Sequence, residues 1–230
     1  GAGGFIASHL AELCIRSGHE VRALVHYNSQ GSHGWLDHSD LATKMEILPG
    51  DVRDFDRVRT ALEGVDWVFH LAALIGIPYS YLSPMAYVET NVVGTNNVLE
   101  ACRQAGVEKV VVTSTSETYG SAQYVPMDES HPNVSQSPYA ATKVGADQLA
   151  LSYSRSFGVP VCVIRPFNTY GPRQSARAII PTIITQLLSG NKVLTLGSLT
   201  PTRDLTYVED TAAAFLAVAE SPELEGQVCN

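Results

Sequence analysis

Tyr139 and Lys143 stand four residues apart at the head of a segment that opens with Ser137-Pro138 and reads as a helix. Residues at that spacing share one helical face. A free tyrosine ionises near about pH 10, too high for a base at neutral pH. A neighbouring ammonium, and a positive nicotinamide ring, would stabilise the phenolate and lower that value. A tyrosinate so placed can take the proton of an alcohol while hydride leaves its carbon. A second reactive group is the run Thr113-Ser114-Thr115-Ser116-Glu117-Thr118-Tyr119-Gly120, which follows a valine-rich stretch. A loop carboxylate ordinarily lies in water. Pure hydride transfer has no need of Glu117, whereas removal of a carbon-bound proton requires a carboxylate there.

A third group is glycine-based. Gly1 and Gly4, with Ala7 three residues on, lead into a helical pattern from Phe5 to Ser17. Glycine permits a tight turn and close approach of backbone to a pyrophosphate. The helix N-terminus adds free N–H groups and partial positive charge. Alone this signal is weak; the alternation that follows strengthens it. The next strand ends in Val25-His26-Tyr27-Asn28, with no acid for an adenosine ribose. NAD and NADP both stay open. No lysine or arginine directly follows to hold an extra phosphate, which favours NAD. Asp51, after the following strand, can hydrogen-bond an adenine or cap its own turn.

The elements that must position these groups alternate. Strands are expected at Val21–Val25, Met45–Leu48, Asp66–Leu71, Lys109–Thr113 and Val161–Ile164. Helices are expected after Asp54 to about Glu63, from Pro84 to Ala105, and from Pro138 to Phe157, where Ser137 caps and proline fits the first turn. Strands apolar on both faces and separated by helices mean a parallel sheet covered on both sides. The fold class is therefore α/β, a Rossmann-type doubly wound sheet. Its ligands lie at the carboxyl ends of the strands. The glycine turn has no strand before it, and Val228-Cys229-Asn230 reads as the start of one. A first strand and a C-terminal part are expected beyond the ends. Residues 1–165 read as the dinucleotide-binding domain. Residues 166–230 read as the start of a substrate-binding region interleaved with the last strands.

The net charge of −8 argues against general nucleic-acid binding. No apolar run is long enough to span a bilayer, and no stretch looks like a signal peptide. Cys14, Cys102, Cys162 and Cys229 are widely spaced and apart from histidine. That disfavours a metal site or disulfide framework and fits a cytoplasmic location.

The stretches GAGGFIASHL, HLAA at His70–Ala73, TSTSETYG, YAATK at Tyr139–Lys143, RPFNTYGPRQ at Arg165–Gln174 and TRDLTYVED at Thr202–Asp210 occur in this order. Together they resemble the NAD-dependent epimerase/dehydratase family, the extended short-chain dehydrogenases/reductases. Within it, AALIGIPYSY, PTIITQLLSG and GSLTPTRD are most similar to UDP-N-acetylglucosamine 4,6-dehydratases of legionaminic-acid-type pathways. The resemblance implies a lyase of nucleotide-sugar metabolism with bound NAD. It places the cofactor on Gly1, Gly4, Phe5, Ile6, Asp51, Val52, Leu71, Ala72 and Ala73, with Tyr139 and Lys143. It makes Tyr139, Lys143, Thr115, Ser116 and Glu117 the catalytic set. Asn168, Arg173 and Arg203 would hold the nucleotide-sugar substrate, arginine being suited to a diphosphate. For Arg203, an ion pair with Asp204 or Asp210 is an equal reading of the residues. A homodimer through the two long helices is also implied.

One departure matters. Dehydratases acting on dTDP-glucose carry Thr-Asp-Glu at the turn; this chain has Ser116 in the middle position, as GDP-mannose dehydratases do. A serine hydroxyl is a poor acid unaided. Either Glu117 serves as both base and acid, or Ser116 relays a proton through water. Three rival readings stand beside the dehydratase: a UDP-glucuronate decarboxylase, a nucleotide-sugar 4-epimerase, and a non-catalytic dinucleotide sensor.

Overall fold

A computed structural model describes all residues 1–230. Its strands are β1 (Val21–His26), β2 (Met45–Gly50), β3 (Trp67–His70), β4 (Lys109–Thr113), β5 (Val161–Ile164), β6 (Asn168–Tyr170), β7 (Leu205–Tyr207) and β8 (Val228–Cys229). Its helices are α1 (Phe5–Arg16), α2 (Phe55–Ala61), α3 (Ile77–Leu82), α4 (Pro84–Tyr87), α5 (Gly94–Ala105), α6 (Pro138–Phe157), α7 (Ile179–Leu188) and α8 (Val208–Glu220). All strand pairs are parallel: β1 with β2, then β3-β4-β5-β8, then β6 with β7.

The valine runs explain the layering. Successive side chains of a strand point to opposite faces. Val110, Val112, Val161 and Val163 face one core, shared with Val98, Leu99 and Cys102 of α5 and Ala150 and Leu151 of α6. Val111, Cys162 and Ile164 face the other, shared with Leu10 and Cys14 of α1 and Ala212 and Phe215 of α8. Helices on both faces require strands apolar on both faces, as the sequence shows.

Local signals set the helix ends. Asp54 accepts a hydrogen bond from the Arg57 N–H at 3.1 Å, and Ser137 from that of Ala140 at 3.1 Å. Both are N-caps. Gly106 and Gly158 end α5 and α6 in the left-handed conformation. The helix expected from Pro84 to Ala105 is interrupted: Val88–Val93 forms a π-helical turn between α4 and α5. The cause is visible at Asn91. Its buried side chain bonds both the N–H and the carbonyl of Leu74, each at 2.9 Å. A widened turn aims that side chain out of the regular helical register.

Residues 166–230 return to the sheet through β8, which pairs with β5. Between β1 and β3 lies a slot of about 930 Å³, bordered by Val21–Leu24 on one side and Asp66–Ala72 on the other. No helix is long and apolar enough to cross a membrane.

Candidate active site

The carboxyl ends of β3, β4 and β5 carry the reactive groups. β4 ends at Thr113 and turns through Ser114 and Thr115 into a single 3-10 turn, Ser116–Thr118. The Thr115 hydroxyl accepts from the Glu117 N–H at 3.2 Å and fixes the start of that turn. Glu117 is half-buried. Its charge faces the Tyr139 phenol closely enough to disfavour the phenolate, while the Thr115 hydroxyl favours it. Tyr139, Thr115 and Glu117 therefore share one location, with Lys143 one helical turn behind Tyr139 on α6.

The electrostatics differ from the expectation drawn from spacing. Burial pushes the Tyr139 phenol up to about 12, and Glu117, Tyr87 and Asp147 push in the same direction. The Lys143 ammonium, one turn behind, donates to the Thr113 carbonyl at 2.5 Å. Burial lowers Lys143 itself to about 8. The chain's own groups thus hold Tyr139 as a phenol, and a tyrosinate needs positive charge from a ligand beside it.

The glycine turn packs against the end of β3. A β-carbon on Gly1 would lie 2.9 Å from both Cα and N of Ala72, and one on Gly3 would lie 2.3 Å from the His33 carbonyl oxygen. The N-terminus of α1, at Phe5 and Ile6, has no side-chain cap and no acid in its first turn. Leu71, Ala72 and Ala73 form the extended wall that follows β3. Asp51 spends its carboxylate on Arg53, bonding its N–H at 2.9 Å and its guanidinium at 2.6–3.1 Å. Val52 is buried against α5.

Of the three residues assigned to substrate, Asn168 and Arg203 lie near each other around the start of β6 and β7, and Arg173 is turned onto α1. Asn168 begins β6, half-buried, its N–H bonded to the Asp204 carbonyl at 3.1 Å. Arg203 is exposed and donates to its neighbour's carbonyl, that of Thr202, at 2.8 Å; it pairs with neither Asp204 nor Asp210. Arg173 is turned onto α1, bonding Ser8 Oγ at 3.1 Å and Glu12 Oε1 at 2.8 Å, from a left-handed backbone with φ 70°.

The model of the NAD dependent epimerase/dehydratase family matches residues 1–230. The chain belongs to that family. A dTDP-glucose 4,6-dehydratase of Streptomyces antibioticus is 35% identical over 214 residues, covering 91% of this chain and 64% of that protein. A UDP-N-acetyl-alpha-D-glucosaminuronate decarboxylase of Bacillus cytotoxicus is 33% identical and covers 100% of this chain and 72% of that protein. A trifunctional UDP-glucose 4,6-dehydratase of Arabidopsis thaliana is 34% identical over the whole chain, which spans 35% of its length. Among solved structures, the dTDP-glucose 4,6-dehydratase of Streptomyces venezuelae with NAD bound superposes with a TM-score of 0.90 at 32% identity. It covers 99% of this chain and 72% of that one. A UDP-glucuronic acid 4-epimerase of Bacillus cereus superposes equally well at 29% identity, covering 99% and 74%.

The cofactor of this epimerase/dehydratase family is NAD, and the residues present fit it. The uncapped end of α1 suits a pyrophosphate. With no β-carbon, Gly1 lets the turn lie against the Ala72 backbone, so that the glycine turn and the end of β3 adjoin. A nicotinamide cation near Tyr139 would supply the positive charge that the protein withholds.

Three features were missed from sequence. His70 ends β3 buried, with Nε2 2.9 Å from Thr95 Oγ1, and burial lowers it to about 3, so it is neutral. Asn91 gave no signal, because helical periodicity does not foresee a π turn. Asp147 did offer one: it stands four residues beyond Lys143, on the same face.

Proposed function

We propose that the protein is a nucleotide-sugar 4,6-dehydratase, with a UDP-N-acetylhexosamine as the substrate favoured by the resemblance of its loops. The observation that supports this reading is the position of Glu117, half-buried beside Tyr139 where hydride transfer alone would not require it. NAD, when bound, supplies a two-electron acceptor and donor, so that oxidation at sugar carbon 4 and reduction at carbon 6 balance within one turnover. Tyr139 takes the proton of the 4-hydroxyl. Thr115 orients that hydroxyl. The 4-ketone acidifies the adjacent carbon-bound proton, and Glu117 removes it as water leaves from carbon 6. The proton taken by Glu117 goes to the leaving hydroxyl, either from Glu117 itself or by relay through water and the half-buried Ser116.

Asn168 and Arg203 hold the nucleotide diphosphate in this reading. Arg173, assigned to the substrate with them, bonds Ser8 Oγ and Glu12 Oε1 of α1. The exposed apolar side chains Met85, Val88 and Val93, and Phe157 at the end of α6, lie along the two stretches assigned to a homodimer contact and support it. The four free thiols support a cytoplasmic location.

The test is product analysis with the full-length protein on UDP-N-acetylglucosamine, UDP-glucuronate and GDP-mannose. A 4-keto-6-deoxy product from the first supports the proposal. Carbon dioxide from UDP-glucuronate, or simple inversion at carbon 4, would replace it with a decarboxylase or an epimerase. Glu117→Gln should retain oxidation at carbon 4 and lose water elimination; full-rate elimination by that variant overturns the base assignment.

A further inference from the structure

The chain leaves the Glu117 turn at Gly120 and reaches the head of α6 at Ser137, just before Tyr139. Residues 121–136 between them form a closed loop. Its ends are fastened together: the Val134 N–H donates to the Thr118 carbonyl at 3.0 Å, and Gln136 Nε2 donates to Ser121 Oγ at 2.9 Å. Compact loops of this kind are packed by their own side chains. Here the filling is His131, only 2% exposed, with its ring centroid 5.3 Å from that of Tyr119 and 4.8 Å from that of Tyr124.

Both ring nitrogens of His131 are used, and their order is fixed. The Gln123 N–H donates to Nε2 at 2.9 Å, so Nε2 carries no proton. Nδ1 lies 3.0 Å from the Pro132 carbonyl oxygen, which can only accept, so Nδ1 carries it. An imidazolium has an N–H on both nitrogens. A second proton would therefore sit against the Gln123 N–H, and the loop would lose that tie. We propose that His131 is a positioning residue for Glu117 and Tyr139 that works only as the neutral Nδ1–H tautomer: its protonation loosens residues 121–136, and with them the strap between the turn and the helix.

The titratable groups around the ring are engaged elsewhere. Asp128 Oδ1 accepts from the Tyr124 hydroxyl at 2.8 Å and from the Ser130 N–H at 3.0 Å. Glu129 Oε1 accepts from the Asn230 N–H at 2.8 Å. The Tyr119 hydroxyl donates to Asn230 Oδ1 at 2.7 Å. Arg165, over the Tyr119 ring at 4.8 Å, pairs with Asp147 at 2.9 Å. The Asn230 contacts tie the loop to the end of β8 without His131, so the change is confined to the loop and the sheet stays formed.

This inference rests on the proposed function only for its catalytic meaning, so its first readout is the loop itself. The full-length protein, labelled with ¹⁵N, is followed by NMR through the acid range without substrate. The neutral His131 ring should show a protonated Nδ1 and a bare Nε2. As the ring takes its second proton, the amides of Gln123 and Val134 should exchange about tenfold faster or more, corrected for intrinsic rate and relative to β4, as expected on losing a buried hydrogen bond. Val134 protection that survives ring protonation in the parent overturns the proposal, whatever any variant does. His131→Gln offers a non-titrating oxygen to the same N–H. Its loop exchange should stay level over that range, and its kcat/KM should hold to lower pH than the parent's. An unchanged acid limb in the folded variant overturns the proposal too. Loosening of the parent loop on ring protonation, with no turnover on any nucleotide sugar, upholds it and rejects the proposed function alone.

Discussion

Gly1 and Ala72 touch so closely that a single β-carbon on Gly1 would fall 2.9 Å from the Ala72 backbone. This contact joins the two walls of the expected dinucleotide site, the glycine turn and the end of β3. The glycine turn is held to β1 by the Ala2 N–H, which donates to the Leu24 carbonyl at 3.0 Å. In the full-length protein, Gly1→Ala should weaken NAD binding about tenfold or more, roughly 1.4 kcal/mol. Isothermal titration calorimetry measures it. Unaltered affinity would show that the turn can open.

Tyr139→Phe should lower kcat by about 10²–10⁴, the usual contribution of a positioned acid–base group, while NAD and the nucleotide sugar still bind. The phenol is the specific loss, since the ring remains packed. A variant that keeps its rate would remove Tyr139 from proton transfer. In the parent without cofactor, the phenol should resist ionisation up to about pH 12. Ultraviolet difference titration at 295 nm, read against Tyr139→Phe, follows it.

His70 gives the protein a built-in acid sensitivity. In the unfolded chain it takes a proton near about pH 6.5; in the folded protein it does so only near 3. The unfolded state therefore binds more protons between those values, and stability falls as pH drops from about 6.5 toward 3. Above that window the contribution is complete. His70→Asn should show a shallower loss of urea midpoint over the same range. An identical slope in both proteins would place the acid sensitivity elsewhere.

Gly106 and Gly120 share a left-handed backbone, with φ 66° and 68°. Only Gly120 is crowded: a β-carbon there would lie 2.2 Å from the Val134 carbonyl oxygen, whereas nothing lies within 4 Å at Gly106. Gly106→Ala should cost roughly 1 kcal/mol for its backbone conformation. Gly120→Ala should cost about 2–3 kcal/mol and should also lower turnover, because the displaced turn carries Glu117. Equal unfolding midpoints for the two variants would mean that the loop after Gly120 yields freely.

Much of this architecture was legible because each signal had a local cause. The valines of β4 and β5 could only be buried on both faces. Asp54 and Ser137 mark helix starts by their own chemistry. The gathering of Thr115, Glu117 and Tyr139 followed from placing motifs at strand ends. What escaped notice depends on contacts distant in sequence. Asn91 acts across 17 residues on Leu74. α8 is recognisable only by what it covers, α1 and the second core. The raised Tyr139 pKa of the protein alone was not legible, because spacing reports proximity along a helix but says nothing of burial.

The slot between β1 and β3 has a practical side. Each of these strands hydrogen-bonds to a neighbour strand on one flank only, and the trench between them is lined largely by apolar side chains. Bare strand edges facing such a trench recruit any extended segment of suitable pattern, including one from another molecule. Such an edge is satisfied only by backbone in the extended form, so the trench accepts a strand and refuses a helix.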